Sequence, residues 1–174
     1  MLGGLIANPT QFTGVLAFAA AILACLFAAS RSRKRDAHVW TCLAIIYFLL
    51  LIEVLLGLRY RIRDFANDFL MVRGLYNDDR RVPQEAADLL LGSLAAWLVT
   101  MPLFFWRIGD FFVRVAVSIT IALLGLFAIE TVSLHAIDAI LYRPIGGVVT
   151  IGWMWAAAAI GVCLIAMQAS RRKP

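Results

Sequence analysis

The chain has 174 residues, 63% of them hydrophobic and 16% charged, with a formal net charge of +5 and a mean hydropathy of +0.87. Those values lie far outside the soluble globular range, so they exclude an ordinary soluble domain and leave no role with nucleic acid. What remains is an integral membrane protein.

Five apolar blocks run approximately 12–30, 39–58, 86–106, 111–134 and 145–169, each close to the roughly 20 residues that cross a bilayer core of about 30 Å. Backbone polar groups in lipid must be satisfied within the element, and the blocks are continuous rather than alternating, so they predict helices and no barrel. The expected fold is all-α, a single polytopic membrane helix bundle of about five transmembrane helices. An outer loop at 59–85 carries a short amphipathic interfacial helix, and no room is left for a separate soluble domain.

Nothing positive precedes the first block, while Arg31, Arg33, Lys34 and Arg35 follow it directly. That is the pattern of an uncleaved anchor rather than a signal peptide. Arg107 and Arg114 lie between the third and fourth blocks, and Arg171, Arg172 and Lys173 follow the fifth, so nine basic residues fall on one side of a five-span chain. By the positive-inside rule the N-terminus is outside and the C-terminus cytoplasmic, in a bacterial inner (plasma) membrane. The seven other basic residues lie outside, six of them in the outer loop, where five acids nearly cancel them.

Ala17, Ala21, Ala24 and Ala28 form a small-residue stripe on the first span, and Gly152 with Ala156, then Ala157 with Gly161, do the same on the fifth. Such stripes let helices approach closely, within the bundle or against another membrane chain or a second copy. Trp40, Trp106, Phe111 and Phe112 are expected in an inner aromatic belt, and Tyr60, Tyr76 and Tyr142 in an outer one. Cys25, Cys42 and Cys163 all fall near inner ends and have neither zinc nor redox spacing, so they read as small hydrophobes.

The second block contains Glu53, about 9 Å along the helix axis from Arg59 at about 1.5 Å per residue. A carboxylate at that depth has to pair, protonate or face a polar cleft. Past it come Arg59, Arg61 and Arg63, then Phe65, Phe69, Val72 and Tyr76 at helical spacing, with Asp64, Asn67, Asp68 and Arg73 on the other face. This predicts the interfacial helix, stopped by Gly74. The turn Asn77, Asp78, Asp79, Arg80 and Arg81 lacks the glycine and terminal Glu of a calcium loop, and Pro83 opens the third span, which Pro102 kinks near its inner end.

The stretch from Glu53 through Arg63 and Asp64 to Asn67 is similar to the Glu, Arg, Asp, Asn pattern of VanZ-like membrane proteins, which have a few helices and are associated with glycopeptide resistance. The resemblance covers about fifteen residues and lacks the glycines after the Asn. No residue roles are carried over from it.

The fourth block ends in Glu130, His135 and Asp138. His135 and Asp138 stand at i and i+3, so Asp138 could orient the imidazole, with Glu130 roughly 80° from Asp138 around the helix. Topology brings Glu53 and Glu130 to similar depth at the outer face, beneath the arginine-rich loop. Convergence would build a pocket with an acidic floor, a histidine on its wall, and Arg59, Arg61, Arg63, Arg80 and Arg81 at its rim. Such a rim suits the phosphate of a phospholipid headgroup or lipid-linked substrate, and Glu53, Glu130, His135 and Asp138 could instead ligate a divalent metal. Haem held by two histidines of one chain is disfavoured, because His38 is expected at the inner face and His135 at the outer.

Three function classes follow. The preferred one is a non-catalytic accessory subunit or lipid- or partner-binding component with a polar site at the extracytoplasmic face, since 174 residues with five spans leave little machinery for selective catalysis. The second is a small membrane enzyme acting on a phosphorylated lipid at the outer leaflet, with Glu53 or His135 as general base and Arg59 or Arg61 on phosphate. The third is a proton- or ion-conducting oligomer with Glu53 and Glu130 as relay acids.

Overall fold

The computed structural model describes residues 8–57, 61, 110–132 and 141–171. Helix α1 covers Pro9–Arg31, α2 Lys34–Leu56, α3 Phe111–Val132 and α4 Thr150–Arg171, with a two-stranded hairpin, β1 (Pro144–Ile145) and β2 (Val148–Val149), immediately before α4. Among the described residues these four helices are long and apolar enough to cross a membrane. The predicted block at 86–106 and the interfacial helix lie outside the described residues.

Local signals explain the helix ends. Asn8 caps α1 by accepting from the Gln11 N–H at 3.3 Å, and Pro9 occupies the first turn, where its missing N–H is no loss. Only Ser32 and Arg33 separate α1 from α2. The basic cluster read as a loop is therefore split between the last turn of α1 and the first turn of α2. Helix α2 stops at Gly57, which takes the left-handed conformation and returns its N–H to the Glu53 carbonyl at 2.7 Å.

The fifth block was expected to be helical from residue 145, and the structure corrects this. Residues 144–149 form a tight antiparallel hairpin with Pro144 opposite Val149 and Ile145 opposite Val148. Gly146 and Gly147 at φ of 60° and 82° make the two-residue turn, a conformation that side-chain-bearing residues rarely adopt twice in succession. Thr150 then starts α4, with both its N–H and its hydroxyl donating to the Arg143 carbonyl at 3.0 and 2.9 Å.

Helix α1 packs against α2 on one side and α4 on the other, α4 carries α3, and α2 meets α3 more lightly. The centre is aromatic. Phe18 lies within 6.3 Å of the ring centroids of Tyr47, Phe127 and Trp155, and Phe127 stacks on Trp155 at 5.3 Å. The small-residue stripes do what they were expected to do in part. Ala21, Ala28, Gly152 and Ala156 are buried, whereas Ala157 faces outward. At Gly152 an added Cβ would lie 2.8 Å from Thr10 Cγ2, and at Gly14 one would lie 2.9 Å from the Trp155 ring, so α1 and α4 approach too closely for a side chain there.

Two aromatic-belt expectations are overturned. Trp40 is fully buried in the core, and Tyr142 turns inward to a carboxylate rather than outward. Trp153 takes an exposed position instead, its indole N–H donating to the Ile145 carbonyl at 3.0 Å. Leu16, Leu23, Leu49, Ile160 and Leu164 also point outward from the bundle. An apolar exterior of this kind is expected where the surrounding medium is lipid.

Candidate functional site

The packing places both apolar-block carboxylates at one end of the bundle. Helix α1 starts where α2 stops, because the Gln11 Nε2 donates to the Val54 carbonyl at 2.8 Å and, more weakly, to that of Leu55 at 3.4 Å. Helices α1 and α4 run in the same direction, since Thr10 abuts Gly152 and Gly14 abuts Trp155. Helix α3 runs against them and brings Phe127 onto Trp155 near its own C-terminal end. Glu53 and Glu130 therefore share an end with the hairpin. Arg31, Arg33, Lys34, Arg35, Arg114 and Arg171 lie toward the other.

Glu130 is 3% exposed, and its Oε1 accepts from the Tyr142 hydroxyl at 2.9 Å. Burying a carboxylate without such donors would carry a large desolvation penalty, so this contact is part of what makes Glu130 tolerable in the core. Both carboxylate oxygens of Glu53 are also buried, one turn before the end of α2. Of the predicted guanidinium rim, Arg61 is exposed, and its backbone N–H meets the Gly57 carbonyl at 3.4 Å, one turn beyond the end of α2. His135, Asp138, Arg59, Arg63, Arg80 and Arg81 lie outside the described residues. Among the described residues no group of three His, Cys, Asp or Glu side chains could hold a metal ion.

A cleft of about 260 Å³ opens at this end, lined by Asn8, Thr10 and Gln11 from the start of α1, by Val54 to Gly57 from the end of α2, and by Trp155. Glu53 is not among the lining residues. The volume is below the roughly 300–1,000 Å³ of pockets for drug-sized ligands, so the cleft suits a small chemical group. Its character comes from the helix end. The last turn of α2 borders it and carries the negative end of the helix dipole.

Sequence reasoning did not single out Gln11, Tyr142 as a carboxylate partner, or Trp155. A usable signal existed for Gln11, a lone amide in the first turn of an apolar span, where a neighbouring helix end is the nearest acceptor. Nothing local marks Tyr142, because its partner is set by the hairpin that follows it. Among the described residues, Thr120 makes buried polar contacts away from this end. The Thr120 hydroxyl donates to the Ala116 carbonyl at 2.9 Å and lies 3.4 Å from the Tyr47 hydroxyl. Cys25, Cys42 and Cys163 are free thiols, buried, exposed and half-buried in turn.

Comparison with protein-family models, with curated proteins and with solved structures finds no match. No family is therefore shown, the VanZ-like resemblance of residues 53–67 included, and the functional argument rests on the residues themselves.

Proposed function

We propose that this chain is a non-catalytic membrane component whose Glu53 end faces the extracytoplasmic side of a bacterial inner membrane and binds lipid or another membrane chain there. The observation that carries this reading is the use made of the polar groups at that end. Tyr142 holds Glu130, and Gln11 holds the end of α2. Both contacts join different parts of the bundle, and neither is arranged like a base poised over a substrate. The basic residues collected at the opposite end support the orientation, because lysine and arginine are retained on the cytoplasmic side.

The same two ends support a fifth crossing. Helix α2 finishes at the Glu53 end and α3 begins at the basic end, an arrangement that one more crossing between them would join. The apolar block at 86–106 has the length for that return.

The test is purification in mild detergent of wild type, Glu53→Ala and Glu130→Ala, reading folded protein and companions together. The expected result is reduced folded protein or reduced recovery of companions in the variants. Wild-type abundance combined with loss of a measurable lipid-modifying or ion-conducting activity would overturn the reading in favour of a chemical site.

A further inference from the structure

We propose that the basic end of the bundle is an anionic-phospholipid surface, on which the turn between α1 and α2, with the last turn of α4 near it, seats phosphodiester headgroups of net negative charge. It lies at the opposite end from the cleft and does not depend on the role proposed for the Glu53 end. Only the leaflet it reaches, the cytoplasmic one, is taken from that reading.

Charge comes first. Arg31, Arg33, Lys34 and Arg35 fall within five consecutive residues, and all four are exposed. Helix α4 runs parallel to α1 and ends on the exposed Arg171, which therefore comes within about one turn of the level of Arg31. Among the described residues, Asp36 and Asp110 are the acids at this end, against six basic residues. That surplus attracts an anion from outside the chain.

Orientation alone does not ask for this arrangement. Keeping the turn cytoplasmic requires basic residues on that side, and Arg31 and Arg171 meet the requirement where the negative end of a helix dipole favours them. Lys34 and Arg35 instead open α2, at the positive end of its dipole, where cations are disfavoured and Asp36 offsets only one of the two charges. Arg33 at the N-cap makes no side-chain capping bond. A phosphate beside this turn turns the penalty into an attraction.

Depth selects a lipid over an acidic protein. Arg31 Cζ lies 4.9 Å from the centroid of the Phe27 ring, and Phe27 is 49% exposed on the apolar exterior. A guanidinium is thus held against a lipid-facing ring. The exposed Met167 and Arg171 repeat the four-residue spacing on α4. Both helices change from exposed apolar to exposed basic within about one turn, which sets these cations where acyl chain meets headgroup. The turn is also braced, with the Ser32 hydroxyl donating to the Ala28 carbonyl at 2.8 Å and the Ala37 N–H to that of Arg33 at 2.9 Å. Little further order has to be imposed when a headgroup binds.

The experiment is native mass spectrometry of the full chain released from detergent with equimolar phosphatidylglycerol and phosphatidylcholine of matched chains. Phosphatidylglycerol adducts are expected to exceed phosphatidylcholine adducts by at least about tenfold, since each basic residue near an anionic lipid surface is worth about a fivefold change in binding. The triple variant Arg33→Gln, Lys34→Gln, Arg35→Gln should bring the two lipids to near parity. Arg143→Gln, which removes an exposed charge at the other end, should leave the preference unchanged. Raising ammonium acetate from about 50 to about 500 mM should cut the wild-type preference several-fold through screening, a readout that needs no variant to fold. Equal wild-type retention of the two lipids overturns the proposal, as does a preference that salt leaves untouched. A triple variant that melts with wild type yet keeps the preference overturns it too, and so does an equal loss in Arg143→Gln. Displacement of the lipid by soluble glycerophosphoglycerol, or recovery of an acidic protein in place of lipid, overturns the lipid assignment.

Discussion

The Tyr142 hydroxyl donates to Glu130 Oε1 at 2.9 Å, tying the far end of α3 to the segment that enters the hairpin and α4. The contact couples two elements that the chain order alone would leave free to shift. It also puts a donor on a carboxylate that is 3% exposed. A buried carboxylate oxygen is costly to leave without a donor, so the contact matters to the fold.

Removing the donor should therefore destabilise the protein. Tyr142→Phe is expected to lower unfolding stability by about 1–3 kcal/mol, the range for withdrawing a partner from a buried acceptor. Glu130→Gln should lose less, because a neutral amide oxygen still accepts from the phenol. The double variant checks the assignment. Thermal unfolding in detergent of both single variants and the double should give a coupling energy well above zero, and additivity would mean that the 2.9 Å contact carries no stability.

The Gln11 contact makes a different prediction because it closes a helix end. Gln11→Leu keeps the bulk of the side chain but withdraws the donor from the Val54 and Leu55 carbonyls. The last turn of α2 should fray, at an expected stability loss of about 1–2 kcal/mol. Hydrogen exchange is the measurement. Amides over 53–57 should exchange faster in the variant while those around Tyr47, deep in the bundle, should be unchanged.

How much of this was legible beforehand differs between elements. The four described helices were legible because lipid forces continuous apolar runs of a set length, and their observed ends fall within a few residues of the sequence blocks. The co-location of Glu53 and Glu130 was legible too, since it needs only the parity of crossings. The hairpin at 144–149 was not, because Ile145, Val148 and Val149 continue the apolar run and hydropathy alone does not register a Gly-Gly turn. The inward turn of Tyr142 and Trp40 was hidden for a related reason. An aromatic near a span end satisfies a belt pattern by position, and only tertiary packing decides which way its ring faces. Gln11 was hidden because its acceptors are backbone carbonyls 43 and 44 residues away, which no side-chain pattern announces.

Close approach of α1 and α4 gives a pair of contrasting substitutions. At Gly152 an alanine Cβ would meet Thr10 Cγ2 at 2.8 Å and Val148 Cγ1 at 2.9 Å, from two different elements at once. Thr10 is held by the Val149 N–H, from which its hydroxyl accepts at 3.0 Å, and Val148 is buried, so Gly152→Ala should cost about 1–3 kcal/mol through overpacking. At Gly161 the nearest atom is Ile119 Cδ1 at 3.4 Å, the tip of a flexible side chain. Gly161→Ala should be neutral or should stabilise by up to about 1 kcal/mol through helix propensity. Melting temperatures of the two variants in the same detergent check this, and equal effects would remove the argument that the α1–α4 contact is the tight one.

The last prediction concerns which residues share a side of the membrane. Ser32 sits in the short turn between α1 and α2, and Ile145 is exposed in the hairpin beside the start of α4. Helices α1 and α4 run parallel, so these two positions lie at opposite ends of the same bundle. In a chain whose three cysteines are replaced by serine or alanine, Ile145→Cys should react with a membrane-impermeant maleimide in intact cells. Ser32→Cys should react only after the membrane is opened. The reverse pattern would keep the bundle and invert the proposed orientation, moving the cleft and both carboxylates to the cytoplasmic face. Labelling of both positions from one side would contradict the parallel α1–α4 packing on which the shared end of Glu53 and Glu130 depends.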